Sequence, residues 1–258
     1  VLNRLRQLFG AGGPSVATTL QAKRTQPGGD VSGVVQVVGG SRPVTVSKVV
    51  LGLSTKVCVD GDDTHFDDVF FARQALTGSF GLAPGEEREF PFEYLVPYEA
   101  PLTMIAGQRL GTVELGLRTE LEVARAFDGS DLDPIETTPL PAQETVVKAL
   151  LDLGFRILRS DVEHGTLRGV DQTLPFFQEI EFHPAAKYAT MLNQLEVTFV
   201  AGPVSTQVVL ELDRRGGLIP NREVFGRFVV DHSALGDTDW KGTLDDWIME
   251  SCRRGGLF

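Results

Sequence analysis

Between Val16 and about Ala124 the chain is broken into short runs of β-branched and polar residues, separated by Pro, Gly or Asp. VATTLQAKR, DVSGVVQVV, VTVSKVVLGLSTKVCV, FFARQALTGSFGLA, EREFPFEYLV and GTVELGLRTELEVA all fit this description. A period of two sends successive side chains to opposite faces, and β-branching resists helix, so each run predicts a strand. Many short strands with no long helix between them bury their apolar faces against one another, which predicts a sandwich.

The glycine-rich stretch TQPGGDVSGVVQVVGG, residues 25–40, fits the same pattern. A phosphate-cradling loop needs a following helix or lysine to meet the anion, and neither follows here. Val31, Gly33, Val35 and Val37 share one parity and Ser32, Val34, Gln36 and Val38 the other, as in a strand covered on both faces. Pro27 presets a turn, with Gly28 and Gly29 expected to supply positive φ.

DGSDLDPIETTPLPAQ, residues 128–143, has three prolines and four acids and reads as a linker. A second β-rich set follows: TVVKALLDLGFRIL, TLPFFQEIEFHP, LNQLEVTFVAG and STQVVLELDRR. The first of these also suits a helix, since Val147, Leu150, Leu151 and Gly154 have helical spacing. Near the C-terminus, Thr243 to Asp246 has the form of a capping box, and Leu244, Trp247, Ile248 and Cys252 then share a helix face. Arg253 and Arg254 would sit at the negative end of that helix, and Gly255-Gly256 would stop it.

With 24 basic against 35 acidic residues the net charge is −11, and acids exceed bases in both halves. Nucleic acid and anionic lipid are therefore disfavoured partners. Cys58 and Cys252 stand far apart without a CxxC, which argues against a zinc cage or disulfide framework and fits a reducing cytoplasm. Leu2, Leu5, Leu8 and Phe9 predict an amphipathic N-terminal helix, and membrane contact is expected only through it.

The Pro-Gly turn feeding Val31–Val37, LAPGEEREFPFEYLVP at 82–97, EFHP at 181–184, LEVTFV at 195–200 and LELDRRGG at 210–217 together resemble the stage-zero sporulation protein M family. The resemblance implies an all-β protein of two tandem arrestin-like β-sandwich domains with short N-terminal and C-terminal helices. On that pattern residues 1–11 are an N-terminal helix, 12–130 the first sandwich, 131–143 a linker, 144–220 the second sandwich, and 221–258 a C-terminal extension with a helix. It also implies regulation of sporulation or another developmental or stress programme, with no enzymatic chemistry, no catalytic residues and no cofactor.

Arrestin-like folds tend to lock their domains with buried charges near the hinge. Arg118, Arg125, Arg156 and Arg159, facing Asp131, Asp133 or Asp161, are the candidates for such a lock. Asp213, Arg214 and Arg215 end a predicted strand, where two guanidinium groups on opposite sides can clamp a partner's carboxylate or phosphate. Trp240 and Trp247 are expected on or near the terminal helix, either in the core or as a docking stripe.

DGDDTHFDD at 60–68 fails the EF-hand pattern, because His65 and Phe71 fall where that loop needs Gly and Glu. His65, His164, His183 and His232 share no metal-ligand spacing. Asp231-His232-Ser233 cannot converge as a triad, since neighbours in an extended chain point to opposite faces. The sequence therefore predicts an adaptor acting on proteins through edge strands and inter-domain grooves, with homodimerisation through exposed edges. The alternatives are a ligand- or metal-binding sandwich using dispersed His and Asp residues, and a peripheral membrane adaptor.

Overall fold

The computed structural model describes residues 12–59, 64–124, 129–215 and 224–253. The N-terminal helix expected at 1–11, the acidic stretch 60–63, Arg125 and the glycines at 216–217 and 255–256 lie outside these residues. The first half contains β1 (Ser15–Leu20), β2 (Arg24–Thr25), β3 (Asp30–Val38), β4 (Val44–Val59), β5 (His65–Ala75), β6 (Phe80–Leu82) and β7 (Glu87–Leu95). It continues through the hairpin β8 (Met104–Ile105) and β9 (Gln108–Arg109), then β10 (Leu115–Val123), β11 (Gly129–Pro134) and β12 (Glu136–Thr137). The second half is α1 (Pro141–Asp152), β13 (Arg156–His164), β14 (Phe176–His183), β15 (Leu192–Ala201), β16 (Ser205–Arg214), β17 (Val224–Asp231) and α2 (Trp240–Arg253). The sheet-rich fold expected from the period-two runs is what the structure has.

In the first half, β1, β3 and β7 form one antiparallel layer, faced by β11, β10 and β4, with β5 and β6 on the far edge of β4. Val31, Val35 and Val37 of β3 are buried, as are Leu51 and Leu53 of β4 and Leu117 and Leu121 of β10. Each such side chain contributes about 1.5–3 kcal/mol by leaving water. Gly33 is required by close approach, since a Cβ there would stand 2.3 Å from the Thr19 carbonyl oxygen. The Pro27 turn forms as expected, with Gly28 at φ +76° and the Gly29 N–H donating to the Gln26 carbonyl at 2.9 Å. Only Gly28 of the pair needs positive φ.

The stretch expected as linker is largely structured. β11 pairs with β10 from Gly129 to Pro134, and β12 runs parallel to β2. Its acids are placed by this pairing: Asp131 Oδ2 accepts the Thr18 N–H at 2.8 Å and so ties β11 to β1. TVVKALL resolves as helix. Pro141 occupies the first helical position, and the Leu140 N–H donates to the Gln143 side chain at 2.8 Å, so the prolines that read as linker begin α1.

In the second half β13, β14, β15, β16 and β17 form an antiparallel run, in that order. One face packs on the helices: Phe182, Leu195, Leu210, Val146, Leu150, Leu244 and Ile248 are all buried, and α1 contacts both β16 and α2. β17 lies in what read as a C-terminal extension, and it completes this sheet. α2 starts three residues before the expected cap, and Asp239 fills that role: its Oδ1 accepts the Gly242 N–H at 3.1 Å. The halves share a sheet as well as contacts, because β4 pairs in parallel with β13 at Cys58 and Glu163.

Candidate functional site

On β14, β15 and β16 the positions facing away from the helices include a row of acids, flanked by Phe177, Thr198, Val200 and Val209. Burial of Ile180 and Phe182, Leu195 and Val197, and Leu210 and Leu212 fixes the inner parity. Glu179 and Glu181, Glu196, and Glu211 are therefore sent to the other face. The register sets Glu181 opposite Glu196, Glu196 opposite Glu211, and Asp161 of β13 opposite Glu179. Like charges directly opposite one another on a sheet destabilise it. This ladder is an arrangement that the fold alone does not require.

Glu179, Glu196 and Glu211 each place a carboxylate oxygen within 4.8 Å of the other two. Burial, followed by the charges of Glu196, Glu163, Glu211 and Glu181, pushes the Glu179 carboxyl up to about 8. The charged form of Glu179 is thus disfavoured among its acidic neighbours. Arg159 answers one end of the ladder, 2.6 Å from Glu181 and 3.5 Å from Asp161. The Gln194 side-chain amide donates to Glu196. Such a face attracts ammonium and guanidinium groups, and its oxygens are also the ligand type that hard divalent cations take.

On the opposite side of β13 and β14 from this face, a polar seam joins the halves. Both Glu99 carboxylate oxygens accept the Thr173 N–H at 3.0 Å, Oε1 also takes the Thr173 hydroxyl at 2.6 Å, and Oε2 takes the Leu174 N–H at 3.1 Å. The Leu102 N–H donates to Gln178 Oε1 at 2.7 Å, while Gln178 Nε2 donates back to the Leu102 carbonyl at 2.8 Å and to Ser160 Oγ at 2.9 Å. The Thr112 hydroxyl donates to the Ser160 carbonyl. Phe71 meets Phe176 edge-to-face at 5.0 Å.

Of the charges expected to lock the domains, Arg118, Asp131, Arg159 and Asp161 make ion pairs or hydrogen bonds within one half. Arg118 pairs with Glu120 at 2.8 Å and lies over the Phe70 ring, all within the first half. Asp133 is buried on β11 opposite Leu117. Arg159 pairs within the second sheet, and Arg156 is exposed where β13 begins, opposite His183. The seam uses neutral amides, hydroxyls and one glutamate instead, and these hold a fixed geometry without burying opposed charges.

The candidate partner residues also contribute to the fold. Arg214 Nη1 donates to the Ser251 carbonyl at 3.2 Å, joining β16 to the end of α2. Asp213 and Arg215 both engage Asn193, at 3.1 and 2.8 Å. Trp240 and Trp247 pack edge-to-face on Phe228, with ring centroids 6.2 and 5.8 Å away. Dispersed histidines do not gather into a metal cluster: among the described residues the one convergent set is the three glutamates. Thr206 holds His232, and His65 lies 3.7 Å from Asp67. Alternating acids in QEIEFH, LEVTF and LELD were a legible signal for the ladder. The register that aligns them was not.

The family model described as SpoOM protein matches residues 2–216. The sporulation-control protein spo0M of Bacillus subtilis (strain 168) is 35% identical over 214 residues, covering 82% of this chain and 80% of that protein. The crystal structure of Spo0M, sporulation control protein, from Bacillus subtilis superposes with a TM-score of 0.79 at 30% identity, covering 94% of this chain and 99% of that one. No helix among the described residues is long and apolar enough to cross a membrane.

Proposed function

Because the chain belongs to the SpoOM family of sporulation-control proteins, we propose that it is a non-enzymatic, arrestin-like regulatory adaptor of the bacterial cytoplasm, recruiting protein partners in a developmental or stress programme. The observation that carries this reading is the ladder of Asp161, Glu179, Glu181, Glu196 and Glu211 on the sheet face turned away from the helices. A surface that gathers like charges at a cost to stability suits a complementary ligand, here a Lys- or Arg-rich segment of a partner protein. The seam at Glu99 and Gln178 supports the same reading, since it fixes the first half against β14, the strand whose other face carries Glu179 and Glu181.

The test is affinity capture from native cell extract with the whole chain and with Glu196→Gln/Glu211→Gln. Partners held by the wild type and lost by the variant support the adaptor role, and identical captures refute the assignment to this face. The convergence of the Glu179, Glu196 and Glu211 oxygens favours one second reading, a divalent-cation site. Equilibrium dialysis against Ca²⁺ or Mg²⁺ separates the two: saturable one-site uptake abolished by the same variant supports the cation, and its absence removes it.

A further inference from the structure

The strand register gathers three carboxylates round one point of the outer face. Glu196 stands opposite Glu211, Thr198 stands opposite Glu179, and Glu196 and Thr198 are neighbours on one face of β15. Glu179, Glu196 and Glu211 are half-buried, and each has a carboxylate oxygen within 4.8 Å of the other two. Three points no farther apart than 4.8 Å lie within about 2.8 Å of a common centre, the length of a charge-assisted N–H···O bond. One cationic nitrogen at that centre reaches all three. Thr198 lies among them in register and is only 4% exposed, and among the described residues its hydroxyl has no hydrogen-bond partner. A buried hydroxyl left unmet on this face calls for a ligand group. Val209 is buried beside Thr198, and beyond Glu211 the ring of Phe225 is 46% exposed.

Resting on the recruiting role given to this face, we propose that Glu179, Glu196, Glu211 and Thr198 form a socket for the side-chain ammonium of one lysine in the partner's segment. An ammonium is a point cation with three donors, and three carboxylates meet it one to one. A guanidinium spreads five donors round a planar fork and has none at its centre, so it does not serve three oxygens that converge on a point. Arg159 shows the difference on this same face: it reaches Glu181 and Asp161 with two separate nitrogens, at 2.6 and 3.5 Å. The four methylenes of a lysine need apolar surface on the way in, which Val209 and the exposed ring of Phe225 supply. A cation at the centre also relieves the repulsion that disfavours the charged form of Glu179. Acetylation of the bound lysine removes its charge and leaves one N–H, which closes the socket to a modified partner.

Calorimetric titration of the full chain with peptides of alternating Lys and Val, Arg and Val, or acetyl-lysine and Val tests it, each peptide N-acetylated and C-amidated so that side chains carry the only charges. The lysine peptide is expected to bind about fivefold tighter than the arginine peptide of equal charge, and the acetyl-lysine peptide to lose binding. This comparison uses the wild type and so depends on no variant folding. Glu179→Gln is expected to erase the preference for lysine. Thr198→Val alters no charge and is expected to weaken the lysine peptide about fivefold while leaving the arginine peptide unchanged. Equal binding of the lysine and arginine peptides overturns the proposal. If that shared affinity still falls in Glu196→Gln/Glu211→Gln, the recruiting face stands and only the socket is lost, whereas no binding by either peptide removes both. A preference for lysine that survives Glu179→Gln and Thr198→Val places the ammonium elsewhere and also overturns it.

Discussion

Gln178 and Leu102 exchange two hydrogen bonds across the halves of the molecule, N–H to Oε1 at 2.7 Å and Nε2 to carbonyl at 2.8 Å. One side chain thereby satisfies a backbone donor and acceptor as another strand would. Its neighbour Glu179 faces the other way, onto the acidic ladder. A single strand thus carries both the contact that fixes the halves and the most perturbed carboxyl of the face.

Replacing Gln178 by Leu leaves the Leu102 N–H and carbonyl without these partners, and desolvated unpaired groups are expensive. Gln178→Leu is expected to lower stability by about 1–3 kcal/mol. Urea unfolding monitors the loss, and hydrogen exchange is expected to quicken at Leu102. Unchanged stability and protection there would show that the clamp contributes little.

The raised Glu179 carboxyl gives stability a pH dependence of definite sign. Folding lifts its value from 4.5 to about 8, so the folded chain keeps a proton that the unfolded chain has released. Stability contributed by this group therefore falls as pH rises from about 4.5 through about 8. Glu179→Gln keeps the shape and abolishes the titration. After allowance for solvent screening, the variant is expected to lose about 1–2 kcal/mol less than wild type between pH 5 and 9. Parallel pH profiles in chemical denaturation would contradict this.

Gly226 lies under the indole of Trp247, where a Cβ would approach Cζ2 to 2.4 Å. Gly226→Ala is expected to destabilise by about 1–3 kcal/mol through overpacking. The smaller ring-free side chain of Trp247→Leu should recover part of that loss in the double variant. Thermal unfolding of the two singles and the double measures the coupling, and strict additivity would mean that the indole does not rest on this glycine.

Local pattern made much of the fold legible. β3 and β4 begin and end where the alternation does, because turn residues bound them on both sides. α1 was ambiguous because Val147, Leu150 and Leu151 suit either element, and Pro139 and Pro141 suit a linker as well as a helix start. β17 was not read at all. Its inner face carries Gly226, whose missing side chain interrupts the alternation and makes sense only beneath Trp247. The seam is further out of reach: Glu99 meets Thr173 and Leu174 from more than seventy positions away in the chain. The acidic ladder lay between these limits, with its residues visible on each strand and their alignment set by pairings that only the folded sheet provides.

The central claim, that the carboxylate ladder is a recruiting surface for basic segments, is tested most directly by fluorescence anisotropy with an extended peptide of alternating Lys and Val. Since the whole chain is acidic, neutralising the ladder must be compared with neutralising as many acids elsewhere. Glu196→Gln/Glu211→Gln is expected to weaken binding about tenfold, and Glu87→Gln/Glu89→Gln on β7 to leave it within about twofold of wild type. Equal weakening by both pairs would mean that the peptide senses only net charge, and the ladder would then have no special claim to a partner.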